Sequence, residues 1–182
     1  MTRDEALEIL HEFTTNENLR KHGYAVEAAM RAYARKLGED EERWGIVGLL
    51  HDFDWEIHPT LEEHPAKGAE ILRDRGVDEE TIGDIQAHAP HTGTPRDTPV
   101  RKAIFAVDEL SGFIVAVALV RPTGLDGMKP KSVRKKLKDK SFAAAVNRED
   151  ITAGAEELRV DLSEHIAFVI EAMQGISDEL GL

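Results

Sequence analysis

The chain has 182 residues, long enough for one folded unit with a substantial buried core, with 41% hydrophobic and 32% charged residues and a formal net charge of −12. That composition belongs to an ordinary globular protein rather than a disordered or fibrous one, and the negative charge argues against general nucleic-acid binding. Cysteine is absent, which excludes disulfides, thiolate metal sites and cysteine nucleophiles, so any metal must be held by His, Asp and Glu.

The longest apolar run, Phe113 to Val120, is eight residues, far short of the roughly 20 needed to span a bilayer. The first residues, MTRDEALEILHEF, are charged and amphipathic in place of an apolar signal region; the expectation is a cytoplasmic protein with no membrane partner.

In chain order, Thr2 and Glu5 have capping-box spacing, and Leu7, Leu10 and Phe13 follow every third residue, which predicts a first helix from about residue 3. Asn16 caps a second, with Leu19, His22, Val26, Met30, Tyr33 and Leu37 on one stripe before Gly38. Asp40 opens a third, carrying Trp44, Val47, Leu50 and His51 inward until the stretch Phe53 to Pro59 breaks it. Pro65 suits the first position of a fourth helix, which Gly76 ends, with His64 beside its N-cap.

Asp78 caps a fifth helix through Ile82, Ile85 and His88, and Pro90, Gly93, Pro95 and Pro99 then enforce a loop carrying His91 and Arg96. From Thr98-Pro99 a long helix runs to Arg121-Pro122; Phe113 to Val120 has strand-like composition, but no second such run exists to pair with it. A short basic helix from Ser132 to Lys138 and two closing helices, about Arg148 to Leu158 and Leu162 to Met173, complete an all-α reading.

The pair His51-Asp52 demands explanation, because an apolar neighbourhood disfavours a carboxylate unless a cation or several donors compensate it. A divalent metal does this; so does a hydrogen-bonded structural pair. His22 on the second helix and Asp108 on the long helix lie on inward faces among core residues, so four potential ligands from three helices converge.

This ordered set of a His, an adjacent His-Asp and a distal Asp, set in GLLHDFD, HPAKGAEIL and AVDELSGFI, resembles the HD superfamily over about residues 20 to 120. The resemblance implies an all-α HD bundle spanning 1–182, with the motif region at about 16–121 and a C-terminal helical extension at about 122–182. It implies that His22, His51, Asp52 and Asp108 hold a first metal ion, and that His64 and His88, with Asp52 as bridge, hold a second. Where many bimetal members have two adjacent histidines, this chain has His88-Ala89 with His91 two residues on, so His91 is a further candidate ligand. The cofactor expected is one or two divalent ions, Mn, Fe, Mg, Co or Zn.

The activity implied is phosphohydrolysis of a small anionic phosphorylated metabolite or nucleotide, by attack of metal-activated water on a phosphoester. Asp52 is then catalytic as well as ligating. Asp54 either steers the water or is a solvated charge, and Lys67 either pairs with a phosphate or is solvated. His58 either touches the site or is a polar loop residue, and His11 and His165 are read as solvent-facing. Two rivals share the ligand pattern: an HD-type diiron oxygenase, whose four His and two Asp match this count, and a non-catalytic metal-binding module. No GYP motif follows the pair, so cyclic di-GMP activity is not assigned.

One segment departs from the rest. Between Lys129 and Lys140 stand seven basic residues and one acid, leaving the remainder of the chain at about −18. It is either a solvated basic surface or a patch that steers an anionic ligand to the site, docked through Val133 and Leu137.

Overall fold

Short polar side chains start most of the helices. The computed structural model describes residues 1–182 as ten α-helices joined by turns, with no strand. Thr2 and Glu5 form the reciprocal capping box of α1 (Arg3–Phe13). Asn16 caps α2 (Glu17–Leu37), which Gly38 ends in the left-handed conformation, and Asp40 caps α3 (Glu41–Leu50). Asp78 caps α5 (Glu79–Gln86), Asn147 caps α8 (Arg148–Glu157) and Asp161 caps α9 (Leu162–Gln174). Each such cap satisfies backbone N–H groups that the helix cannot, a contribution of about 1 kcal/mol. Between these lie α4 (Ala66–Asp74), α6 (Pro99–Leu119), α7 (Pro130–Leu137) and the terminal α10 (Ser177–Leu180).

The two 21-residue helices α2 and α6 cross at the centre, with α3 against α2 and with α8 and α9 closing over α6. The α2–α3 contact is backbone to backbone. A Cβ on Gly48 would lie 3.0 Å from Glu27 Cα and from the Val26 carbonyl, so only glycine allows this approach, and it brings His22 on α2 to the end of α3. One continuous core of 39 buried apolar residues runs from Ala6 to Leu180, so the helices after residue 121 pack on the motif region rather than forming a core of their own. Val133 is buried and Leu137 partly buried against it, which fixes α7 by its apolar edge.

Several boundaries differ from the sequence expectation. Pro65 stands at the N-cap and α4 begins at Ala66. Helix α5 ends at Gln86, leaving His88 in the turn beyond it. Pro130 starts α7 two residues earlier than Ser132, because proline's fixed φ suits the first turn. The loop after His88 contains a 3-10 turn, Pro90–Thr92.

His165, expected to face solvent, is 1% exposed. Its Nε2 donates to the Ala106 carbonyl at 2.9 Å, and its Nδ1 accepts from the Tyr33 hydroxyl at 2.6 Å. The ring therefore joins α9, α6 and α2 through satisfied polar contacts, which is what makes its burial tolerable. Helical periodicity alone could not distinguish this from a surface histidine. His11 is exposed as expected.

Tyr33→Phe removes the donor and strands the buried His165 Nδ1, so stability should fall by about 1–3 kcal/mol. Urea unfolding monitored by circular dichroism measures this; an unchanged midpoint would show that the Tyr33 hydroxyl contributes nothing.

Candidate metal centre

Five chain segments bring six acid and imidazole side chains together. His22 projects from α2, His51 and Asp52 follow the last turn of α3, His64 precedes α4, His88 follows α5, and Asp108 projects from α6. They form two groups that share Asp52: His22, His51, Asp52 and Asp108 in one, and Asp52, His64 and His88 in the other. In the first, the Nε2 atoms of His22 and His51 stand 3.1 Å apart, each also facing Asp108 Oδ1 at 3.0 and 3.3 Å. Asp52 Oδ2 lies 3.5 Å from His51 Nε2 and 3.9 Å from His22 Nε2. In the second, the Nε2 atoms of His64 and His88 are 3.0 Å apart, with Asp52 Oδ1 at 3.2 and 3.3 Å.

The outer nitrogens explain why the inner ones converge. His51 Nδ1 donates to the Gly48 carbonyl at 2.7 Å, and His88 Nδ1 donates to the Ile85 carbonyl at 2.6 Å. Both acceptors are carbonyls in the last turn of a helix, and that of Ile85 also accepts from His88 N at 3.2 Å. His64 Nδ1 donates to Asp54 Oδ1 at 2.8 Å. With Nδ1 engaged, each of these rings presents Nε2 to the centre, the arrangement that metal-binding histidines require. Paired imidazole nitrogens facing one another across a shared carboxylate fit a cation between them, and an all-nitrogen-and-oxygen donor set suits Mn, Fe, Mg, Co or Zn. The residues present therefore fit one or two divalent ions.

Further out, the buried Asp84 of α5 pairs with Arg43 of α3 and with Arg101 of α6. This ties together the three helices that position His51, His88 and Asp108.

Burial opposes protonation of His51, but the Asp52 and Asp108 carboxylates outweigh it and raise its pKa to about 9. His64 is likewise raised to about 9, burial being overcome by its hydrogen bonds to Asp52 and Asp54. Burial also works against the Asp52 charge, yet His51, His64 and His88 hold its carboxyl well below the usual range. Asp108 is lowered too, with burial outweighed by His51 and His22. The metal-free centre is thus a cluster of imidazolium and carboxylate charges.

Other residues from the sequence reading fall outside both groups. His91 is not brought into either one; its Nε2 donates to the His64 carbonyl at 2.9 Å, so it braces the backbone of a candidate ligand instead of joining the ligands. Asp54 is buried rather than solvated, and both oxygens are engaged: Oδ1 with His64, and Oδ2 accepting from Gly68 N at 3.0 Å. These two bonds commit Asp54 to holding the His64 ring and the start of α4. A Cβ on Gly68 would lie 2.6 Å from that carboxyl, which accounts for the glycine in HPAKGA. Lys67 is at the surface, paired with Glu70 at 2.9 Å. His58 is partly exposed, 3.9 Å from Glu63.

Two neighbours of the centre were not singled out from the sequence. Trp55 stands edge-on to His64, ring centroids 5.0 Å apart. Glu109, next to Asp108, accepts from Asn147 N at 3.1 Å, and burial together with Asp108 raises its pKa to about 7. A single aromatic in a polar loop and a Glu beside an Asp carry no spacing signal that would have marked them.

Asp54→Asn should weaken the second ion about 10–100-fold, the usual cost of losing a histidine's outer partner, and leave the first group able to bind. Gly68→Ala should act in the same direction by displacing Asp54. Metal content and competition titration measure both, and undiminished binding of two ions in each variant would contradict the role given to Asp54. A pH dependence follows as well. In the metal-free protein, a raised histidine stabilises the fold fully below about pH 6.5, and that contribution is lost as pH rises through about 9. Metal binding needs neutral imidazoles and so has the opposite slope: affinity should rise toward pH 9 with release of protons. Isothermal titration in buffers of different ionisation enthalpy counts those protons, and none released would remove His51 and His64 from the ligands.

Comparison with known proteins agrees with this geometry. The HD domain family model matches residues 19–112, which contain all six residues of the two groups. Among curated proteins the chain is similar to ribonuclease Y of Oleidesulfovibrio alaskensis, 31% identical over 98 residues, and to ribonuclease Y of Nitratidesulfovibrio vulgaris at the same identity and length. Each match covers 53% of this chain but 18% of the relative's length. No solved structure matches the chain. With its family match spanning more than half the residues and its His and Asp groups gathered in one place, the chain belongs to the HD domain family.

Proposed function

We propose that this chain is a metal-dependent phosphohydrolase that acts on a small phosphorylated metabolite or nucleotide. The observation that carries the reading is the shared Asp52, whose two oxygens face two separate imidazole pairs. When bound at such a centre, a pair of divalent ions supplies an activated water and neutralises the phosphoryl oxygens.

The chain's own part is to hold this arrangement and to leave one side open. His51, His64 and His88 side chains are at most 5% exposed, whereas those of His22, Asp52 and Asp108 are 17–25% exposed. A phosphoester therefore approaches along the His22–Asp108 edge, while the second imidazole pair is sealed behind Asp52. The relatives' name, ribonuclease Y, indicates hydrolysis of a phosphodiester and supports the same bond class here. The chain matches only 18% of those proteins' length, so RNA itself is not carried over as substrate.

The same six-residue set, four His and two Asp, also suits a diiron oxygenase. Purified protein supplied in turn with Mn, Mg, Co and Fe is expected to release phosphate from at least one member of a panel of phosphorylated metabolites. Asp52→Ala should abolish both that activity and bound metal, because no neutral side chain replaces the shared anion. Oxygen uptake with an iron-loaded protein, and no phosphate release across the panel, would reverse the assignment.

A further inference from the structure

Ten of the 16 Lys and Arg side chains outside residues 129–140 sit in ion pairs with Asp or Glu, among them Arg3, Arg31, Arg43, Arg73, Arg96 and Arg101. None of the seven between Lys129 and Lys140 does, although the chain carries 35 acidic residues that could supply partners. Lys129, Lys131, Arg134, Lys135, Lys138 and Lys140 are exposed, and Lys136 lies over the Phe142 ring at 4.4 Å. So many unpaired cations on α7 and its flanks repel one another.

The segment that follows them packs on the helix that carries Asp108. The strap from residue 138 to 147 returns from α7 to α6. Phe142 stacks edge-on against Phe113, ring centroids 5.7 Å apart, and Asn147 N donates to Glu109. Glu109 is adjacent to Asp108, and Gly112, on the same helix, faces the His22 ring. The strap therefore meets α6 beside the His22–Asp108 edge, which is the open edge of the centre. It is also built to keep its shape. The Arg148 guanidinium donates to the carbonyls of Leu137, Asp139, Phe142, Ala143 and Val146. Ala143 is held at φ 44°, a left-handed conformation that costs a residue with a Cβ about 1 kcal/mol.

We propose that α7 and the strap form an anion site beside the metal centre that takes a phosphate group of the substrate other than the one hydrolysed. This rests on the phosphohydrolase reading and narrows it to substrates with at least two phosphate groups. A lipid surface is the weaker fit, because Val133 and Leu137, the apolar residues of α7, are already turned into the core and leave no apolar face to enter a bilayer. A nucleic-acid chain is disfavoured by the strongly acidic remainder of the protein.

The test uses full-length protein and inorganic pyrophosphate. Lys135, Lys138 and Lys140 are changed together to Gln; all three are exposed and unpaired, so the fold and the metal content should be unchanged. Pyrophosphate should bind the variant about tenfold more weakly than wild type at low salt, a difference that shrinks as screening increases. For the metal-loaded enzyme, kcat/KM on a substrate with two phosphates should fall more than on its monophosphate analogue. Equal pyrophosphate affinity in variant and wild type would overturn the site. So would tighter, lysine-dependent binding of a single-stranded oligonucleotide or of anionic vesicles than of pyrophosphate. An inactive protein whose pyrophosphate binding still depends on these lysines would remove the hydrolase reading alone, whereas an active enzyme indifferent to them would remove only this one.

Discussion

A carboxylate held between two pairs of imidazoles is the constraint around which this protein is arranged. Asp52 places one oxygen toward His22 and His51 and the other toward His64 and His88, in surroundings where an uncompensated charge would be costly. Satisfying both oxygens requires contributions from α2, the end of α3, the segment before α4 and the turn after α5, with Asp108 from α6 completing the first group. The core has to bring those elements within a few ångströms of one point. The glycine contact between α2 and α3 and the Arg43–Asp84–Arg101 bridge are two of the means by which it does so.

The histidines are oriented by a device that recurs. His51 and His88 each reach back three residues to a carbonyl at the C-terminal end of a helix, where the negative end of the helix dipole favours an N–H donor. His64 precedes a helix rather than following one and has no such carbonyl within reach. Asp54 takes that role, held in turn by Gly68 N. Two local solutions thus produce the same outcome, an Nε2 facing inward.

The charge distribution divides the surface in a way that total charge conceals. Elsewhere, acidic excess is interleaved with paired arginines, while the cations of α7 and its flanks make no ion pair. The strap that follows α7 is fixed by one guanidinium against five carbonyls, so the position of its lysines is set by backbone contacts instead of by opposing carboxylates.

The sequence by itself determined the helices and the ligand candidates. Caps such as Thr2, Asn16, Asp40 and Asp78 are local, acting within three residues, and the inward stripe carrying His22 follows from helical period alone. The resemblance carried by His22, His51-Asp52 and Asp108 supplied the rest of the constellation, including His64 and His88. Only the tertiary structure decided the roles that depend on what lies across the gap between helices. Asp54 became the partner of His64, and His91 turned to a backbone carbonyl. His165 was buried by Tyr33, 132 residues away in sequence, and Arg148 was committed to the strap. A polar side chain in an amphipathic helix or loop has the same sequence signature whether it meets water or a buried partner, because the deciding energy is that of a contact the chain makes only when folded.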